Sequence, residues 1–473
     1  MYLGIDLGTS SAKALLLSDR GIALAQASRP YAVHHPAPDR AESDPEAWWA
    51  AVAACVQELP AALRAQVRAI GLSGQMHGAV FSDAQSRPLR PAILWLDRRA
   101  AGLRAALPQD LLERTGNPFS AGMTAAILAW QVQQPDGLPA GTLVMQAKDW
   151  LHLRLTGVAT SEPSDASGTL LADRAGNWDA ELLAGLGLTP AILNPVLASA
   201  SAAGGLATAS ANLLGLAAGI PVACGAGDTA AAAFGGGLYH AGDAQLTTGS
   251  GAQLVVMCAQ APPADPALNA FCAVRCEDLP GWYAMAAMQN CGIALEWVRR
   301  LLGLSWPRAY ELAFQPAAGA SRALFVPHLS GERTPWMDPA LRASWSDLGV
   351  DDDAGAMMRA AFKGVAFSIR AGLDALRRQG LAPARLRLAG GGSVHAEWRQ
   401  LLATVLATPL DAVDCADASA RGAALLGAVA DGMPLAAVRA MAPQLVPVAG
   451  GAPDPALEAD YLRYCARIES DRG

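Results

Sequence analysis

The chain has 473 residues, of which 52% are hydrophobic and 16% charged, with a formal net charge of −7. That length exceeds one ordinary core, so two or three domains are expected, and the apolar share excludes a disordered chain. The acidic balance serves solubility and argues against nucleic acid as a partner, which would need a basic face.

The N-terminus reads MYLGIDLG, with no basic region and no apolar run of signal length. No alanine-rich stretch approaches bilayer length, so the expectation is a cytoplasmic protein with no membrane partner. Tyr2 to Asp6 and Ala12 to Leu17 are short apolar runs around the turn Gly8-Thr9-Ser10-Ser11, and Ile22 to Ala27 follows as a third strand. Asp44, Pro45 and Glu46 give an N-cap, a first-position proline and a first-turn acid for a helix to Glu58. Val67 to Leu72 is a strand that stops at Ser73-Gly74-Gln75-Met76-His77-Gly78, and Lys148-Asp149-Trp150 opens a helix towards Leu155. This alternation predicts an α/β architecture.

Ile220 to Cys224 is a strand, Gly225-Ala226-Gly227 a turn, and an Ala-rich helix runs from Thr229. A second strand–turn–strand unit lies at Gln245 to Thr247, Thr248-Gly249-Ser250-Gly251 and Ala252 to Cys258. Two such units, one near the start of each half, predict an internal duplication with a boundary near Leu238 to Gly242. The expected division is 1–240, 241–430, and a tail at 431–473. The tail ends in a helix capped by Asp454 and Pro455, whose stripe of Leu457, Tyr461, Tyr464, Cys465 and Ile468 packs back on the body.

Eight cysteines without a CxxC pair read as reduced, buried small hydrophobes. Lysine occurs only at 13, 148 and 363, kept either by chance or where a compact ammonium suits better than a guanidinium fork. Asp351-Asp352-Asp353 reads as a solvated turn and helix start. Glu332 and Arg333 are expected to form a buried ion pair that fixes their loop.

Candidate chemistry gathers at the turns. A hairpin of Gly, Thr and Ser aims backbone N–H groups and hydroxyls at one point, which suits phosphate oxygens, although most such turns only reverse the chain. Gly8-Thr9-Ser10 and Thr248-Gly249-Ser250 are two of them. Asp6 is placed to hold Mg²⁺ through water, or is a plain strand-end acid. The run Ala389-Gly390-Gly391-Gly392-Ser393 has neither dinucleotide-fold nor P-loop spacing, but its bare backbone lets a flat ring or phosphate lie close. Asp228 stands at a helix N-terminus beyond a strand's carboxyl end, where ligands bind in α/β folds. It is a candidate general base, although local pattern alone favours a plain N-cap. His77 is a candidate donor to a sugar hydroxyl, though a turn or core histidine is the simpler local reading.

Taken in order, GIDLGTSSAK at 4–13, GQMHGAV at 74–80, PAILWLDRRA at 91–100, AKDWLHLRLTG at 147–157 and SDASGT at 164–169 form one series. GAGDTAAAA at 225–233, TTGSGAQ at 247–253, LSGERTPWMDP at 329–339 and AGGGSVHAEWRQLLA at 389–403 complete it. The chain from Met1 to about Ala430 thereby resembles the FGGY carbohydrate kinases of the sugar kinase/actin/heat-shock ATPase superfamily. Gln-Met-His-Gly and Ser-Gly-Glu-Arg-Thr-Pro are the pieces most specific to xylulokinase-like members.

The resemblance implies two ribonuclease-H-like α/β domains closing over a cleft, with ATP, Mg²⁺ and a small sugar as ligands, and a homodimer. It implies Asp228 as catalytic base and Asp6 as the acid near the metal. Thr9, Ser10 and Lys13 fall at the first phosphate hairpin and Thr248 and Gly249 at the second. Gly391 and Gly392 fall at the adenosine, and Met76 and His77 at the sugar. D-xylulose is the implied substrate. Thr229, however, stands where these enzymes carry a sugar-contacting Asn, Leu96 stands in a Trp-Asn-Asp stretch, and Ala125-Ala126 replace a Pro-Lys pair. A ribulose or alditol kinase therefore stays open, as does, from another class, a non-catalytic ATP-binding switch of the actin or chaperone type.

Overall fold

The computed structural model describes residues 1–315 and 321–472. Two mixed sheets carry the chain. In the first, the spatial order is Ala23–Pro30, Ser11–Leu17, Tyr2–Leu7, Ala69–Gly74, Pro221–Ala223, Ala202–Gly205, with Ala226–Gly227 also pairing with Ala69–Gly74. The three N-terminal strands are antiparallel, while Tyr2–Leu7 runs parallel to Ala69–Gly74 with Asp6 opposite Ser73. The second sheet is ordered Asn269–Cys272, Trp282–Met288, Ala252–Cys258, Ala244–Thr248, Leu386–Ala389, Leu410–Val413, Leu445–Pro447. Its hairpin strand Ala244–Thr248 likewise has an antiparallel partner on one side and a parallel one on the other. The duplication expected from the two hairpins is thus present in the strand order itself.

Helices form where their caps and apolar spacing require. Asp44 accepts from the Glu46 N–H at 2.9 Å and starts Pro45–Glu58, which buries Trp48, Val52, Cys55 and Val56 against the first sheet. Asp353 likewise caps the 25-residue helix Ala354–Arg378 behind the second sheet, so the triple aspartate is a helix start, as its sequence suggests. The C-terminal helix Pro455–Arg472 places Tyr461, Tyr464 and Ile468 in that sheet's core.

Two helices tie the lobes together. Asp228–Gly235 crosses Ala418–Ala430, and a Cβ on Gly422 would collide with the Ala231 carbonyl. Ala418–Ala430 lies across the first sheet so closely that a Cβ on Gly4 or Gly71 would strike its backbone. All eight cysteines are free thiols. Among the described residues no helix is long and apolar enough to cross a membrane.

Candidate active site

A cavity of about 860 Å³ opens between the lobes. From the first lobe it is lined by Thr9, Met76, His77, Trp95, Leu96, Asp228 and Thr229, and from the second by Phe271, Tyr283, Gln289 and Arg333.

Asp228 is the first residue of its helix, with Gly227 as the cap, so it is not a plain N-cap. Burial, then the nearby Asp6 charge, pushes its pKa up to about 6, opposed by the Thr229 hydroxyl, which donates to Oδ1 at 3.1 Å. The carboxylate is walled by protein yet open to the cavity, the setting in which a carboxyl becomes a usable base near neutral pH. Gly227 has to be glycine: a Cβ there would lie 2.7 Å from Met76 Cγ and 3.1 Å from Asp165 Oδ1.

His77 adopts φ 80°, and its turn is held from behind. Thr124 donates to the His77 carbonyl at 2.9 Å, and Gln146 donates to the Gly78 carbonyl at 2.9 Å. The ring packs on Phe271. Burial lowers the pKa of His77 to about 4, with the Arg333 charge adding to the effect. The ring is therefore neutral, and Nδ1 lies 2.8 Å from the Gly168 carbonyl oxygen, which only accepts. Nδ1 must carry the hydrogen, leaving Nε2 an acceptor. Nε2, the ring nitrogen left for a ligand, is therefore able to accept a hydrogen bond and not to donate one, unlike the donor expected from the sequence.

At the other end, Asp6 accepts from Ser73 Oγ at 2.9 Å and has its pKa raised by burial, with Asp417 adding to the rise. Thr9 Oγ1 accepts from Trp95 Nε1 at 2.9 Å, while Ser10 is exposed at the turn. Lys13 is not free: its ammonium meets Asp417 at 2.5 Å, tying the first hairpin to the helix Ala418–Ala430. Lys148 and Lys363 are paired too, with Asp149 and Asp165 and with Asp460, so each of the three lysines serves an ion pair.

The second hairpin and the Gly run come together. Gly390 has φ 95°, and its missing side chain leaves room for the Thr248 backbone; a Cβ on Gly392 would sit 3.3 Å from Thr248 Oγ1. Around Gly391 there is open space. Gly249 and Ser250 are exposed at the turn, which the N–H groups of Gly292 and Ile293 brace from below.

The expected Glu332–Arg333 ion pair does not form. Glu332 accepts from the Gln289 and Arg333 backbone N–H groups at 2.6 and 2.8 Å, from Asn290 at 3.0 Å, and lies 3.3 Å from His328 Nδ1. Burial alone would raise its pKa, but those partners outweigh it and hold the carboxylate ionised. Sequence reasoning also missed Thr124, Gln146, Asp165 and Asp417, whose partners lie far along the chain.

Paired hairpins on duplicated sheets, with a carboxylate between them at a helix N-terminus, describe a phosphotransferase of the actin-like superfamily. The N-terminal domain model of the FGGY family of carbohydrate kinases matches residues 1–235, and its C-terminal domain model matches residues 248–430. The chain belongs to that family and is an ATP-dependent carbohydrate kinase. It is 36% identical over 441 residues to the xylulose kinase of Escherichia coli (strain K12), covering 91% of this chain and 90% of that protein. A glycerol kinase of Citrifermentans bemidjiense is 33% identical over 459 residues, covering 91% of this chain and 90% of that one. The crystal structure of a xyloylose kinase from Brucella ovis matches with a TM-score of 0.91 and 36% identity, over 100% of this chain and 99% of that one.

Proposed function

We propose that the protein phosphorylates D-xylulose at O5 in the cytoplasm, where ATP is made. The carrying observation is Asp228: a carboxylate with its pKa near 6, on the wall of the cavity that also holds His77 and Met76. Asp228 orients the terminal hydroxyl and takes its proton as O5 bonds to the γ-phosphorus and the bond to the ADP oxygen breaks. Thr9, Ser10, Thr248 and Gly249 meet the phosphates, and Gly391 and Gly392 give the adenosine a flat approach. Lys13 joins them when phosphate displaces Asp417.

Asp6 keeps one carboxylate oxygen clear of Ser73, and among the described residues no cluster of three metal-ligating side chains exists. That fits Mg²⁺, which keeps waters and phosphate ligands in place of an all-protein cage. Held through water at Asp6, the ion would supply charge neutralisation on the phosphate oxygens.

A second reading, a kinase for another ketose or a polyol, is favoured by Thr229, which hydrogen-bonds the base, and by Leu96, which is 41% exposed and lines the cavity. Sugar-dependent ADP release over pentuloses, hexuloses, pentitols and glycerol decides between them. Preference for D-xylulose upholds the proposal, preference for another sugar moves the substrate, and no sugar-dependent ADP from folded protein overturns kinase action.

A further inference from the structure

Behind the turn that carries Asp228 lies a buried charge cluster that the phosphoryl transfer above leaves unused. Lys148, Asp149, Glu162 and Asp165 are all shut off from solvent. The Lys148 ammonium lies 2.5 Å from Asp149, 3.0 Å from Asp165 and 3.7 Å from Glu162. Such clusters can often be replaced by apolar packing at no loss of stability, so their presence asks for a further reason. The hydrogen bonds of Glu162 supply one. Oε1 accepts from Ser164 Oγ at 2.5 Å and from the Asp165 N–H at 2.8 Å. Oε2 accepts from the Ser164 N–H at 3.0 Å and from Ser199 Oγ at 2.8 Å.

Each serine hydroxyl has one hydrogen, and here it goes to Glu162, which leaves Ser164 Oγ and Ser199 Oγ as acceptors. Ser164 Oγ takes the N–H of Gly227, the residue before Asp228, at 2.9 Å, and Ser199 Oγ takes the Arg275 N–H in the second lobe at 2.9 Å. Ser164 also opens the short helix Pro163–Ser167, whose C-cap Gly168 presents the carbonyl that His77 Nδ1 approaches at 2.8 Å. A Cβ on either Gly227 or Gly168 would press on Met76, so the three segments are packed without slack. One helical turn thus holds the backbone of the base at its start and the histidine at its end. Glu162 and Ser164 do not line the cavity, so they act on it only through these backbone contacts.

We propose that Ser164, oriented by Glu162, is a positioning residue for phosphoryl transfer: by holding the Gly227 N–H it aims the Asp228 carboxylate at the hydroxyl it deprotonates, in register with His77. This rests on the reading of Asp228 as the base. Proton transfer requires the base within hydrogen-bond reach of that hydroxyl, and a displacement of about 1 Å is enough to cost on the order of 10²-fold in rate.

The test is a double-mutant cycle between Ser164→Ala and Asp228→Asn, read as kcat on the sugar that wild type prefers, with the ADP-induced rise in Tm as the check on folding. In the wild-type background Ser164→Ala should lower kcat by about 10- to 100-fold, with KM for ATP and for the sugar within about twofold. In the Asp228→Asn background the same change should lower kcat by less than about twofold, because the group it aims is already gone. A hydroxyl that only held the fold together would cost the same factor in both backgrounds. Ser164→Cys, close in size but with a weakly accepting sulfur, repeats the cycle where the alanine variant does not fold. Ser199→Ala takes a hydroxyl from the same carboxylate and leaves Gly227 paired, so its kcat should stay within about threefold of wild type. Equal factors in the two backgrounds, no loss of kcat in either Ser164 variant, an equal loss in Ser199→Ala, or failure of both Ser164 variants to fold overturns the positioning role and leaves Asp228 as the base. Turnover of Asp228→Asn alone within tenfold of wild type overturns the base reading, and the positioning role with it.

Discussion

The two lobes share one strand order and use it in opposite ways. In each, a hairpin strand runs parallel to a neighbour whose carboxyl end meets the cleft: Tyr2–Leu7 beside Ala69–Gly74, and Ala244–Thr248 beside Leu386–Ala389. In the first lobe that end continues into Gln75-Met76-His77, dense with side chains and locked by Thr124 and Gln146. In the second it continues into Gly390-Gly391-Gly392, where the missing side chains leave room. The first hairpin is backed by Asp6 and an ion pair, the second by backbone braces. In the proposed reading one scaffold carries the acting groups in one lobe and a bare approach for the nucleotide in the other, so substitutions should fail differently on the two sides.

The largest effect is expected from the side-chain lobe. Asp228→Asn should lower kcat by about 10²- to 10⁴-fold, the usual worth of a general base, with the ADP-induced rise in Tm retained. Turnover within tenfold of wild type would end the base assignment. Stability should move the opposite way. A folded-state pKa raised from 3.8 to about 6 means that the folded protein binds the proton more tightly, so this carboxylate costs stability increasingly as pH rises through that interval. Removing it should stabilise the protein by about 1–3 kcal/mol at pH 7–8, allowing for cavity water, and by nothing near pH 4. Thermal melts at the two pH values check this without any assay of turnover.

The nucleotide lobe should break through space. A Cβ on Gly391 would meet nothing within 4 Å, so Gly391→Leu should fold with Tm nearly unchanged. Its side chain would nevertheless occupy the adenosine approach and raise KM for ATP by about tenfold, with KM for the sugar unmoved. Gly390→Ala is the contrast, because φ 95° and collision with the Thr248 backbone should lower Tm by several degrees. If Gly391→Leu leaves ATP affinity intact, the second lobe's glycines are structural.

What could be read in advance follows from how local each signal is. Both hairpins, the Asp44 and Asp353 caps and the strand before Asp228 are encoded within a few residues, and they stand where local pattern puts them. Asp228 needed the surrounding series of motifs, because a helix-start aspartate alone says little. The rest depends on contacts made over hundreds of residues. Asp417 reaches Lys13, Tyr283 and Phe271 cross from the second lobe to Met76 and His77, and Arg333 loses its adjacent acid to the Gln289 backbone. Neighbouring opposite charges made a Glu332–Arg333 pair the natural reading. The carboxylate instead accepts from the Arg333 N–H and from Gln289 and Asn290 on a distant segment, which no spacing rule reveals.

The smallest predicted effect probes Thr229, the residue that follows the proposed base. Its hydroxyl donates to Asp228 Oδ1 and thereby favours the ionised base. Thr229→Val keeps the shape and removes that donor, so the pKa of Asp228 should rise further, while the proton-free base needed for transfer is unchanged once formed. kcat/KM should then fall a few-fold at pH 6 and hardly at pH 8, the acid limb of the profile moving to higher pH by up to about one unit. A threonine whose task was to grip the sugar would behave otherwise, raising KM for the sugar equally at both pH values. The pH profile of this one variant therefore separates a residue that tunes the base from one that selects the substrate. If tuning is the outcome, the hydroxyls of the sugar must be read by other groups that line the same cavity, such as His77.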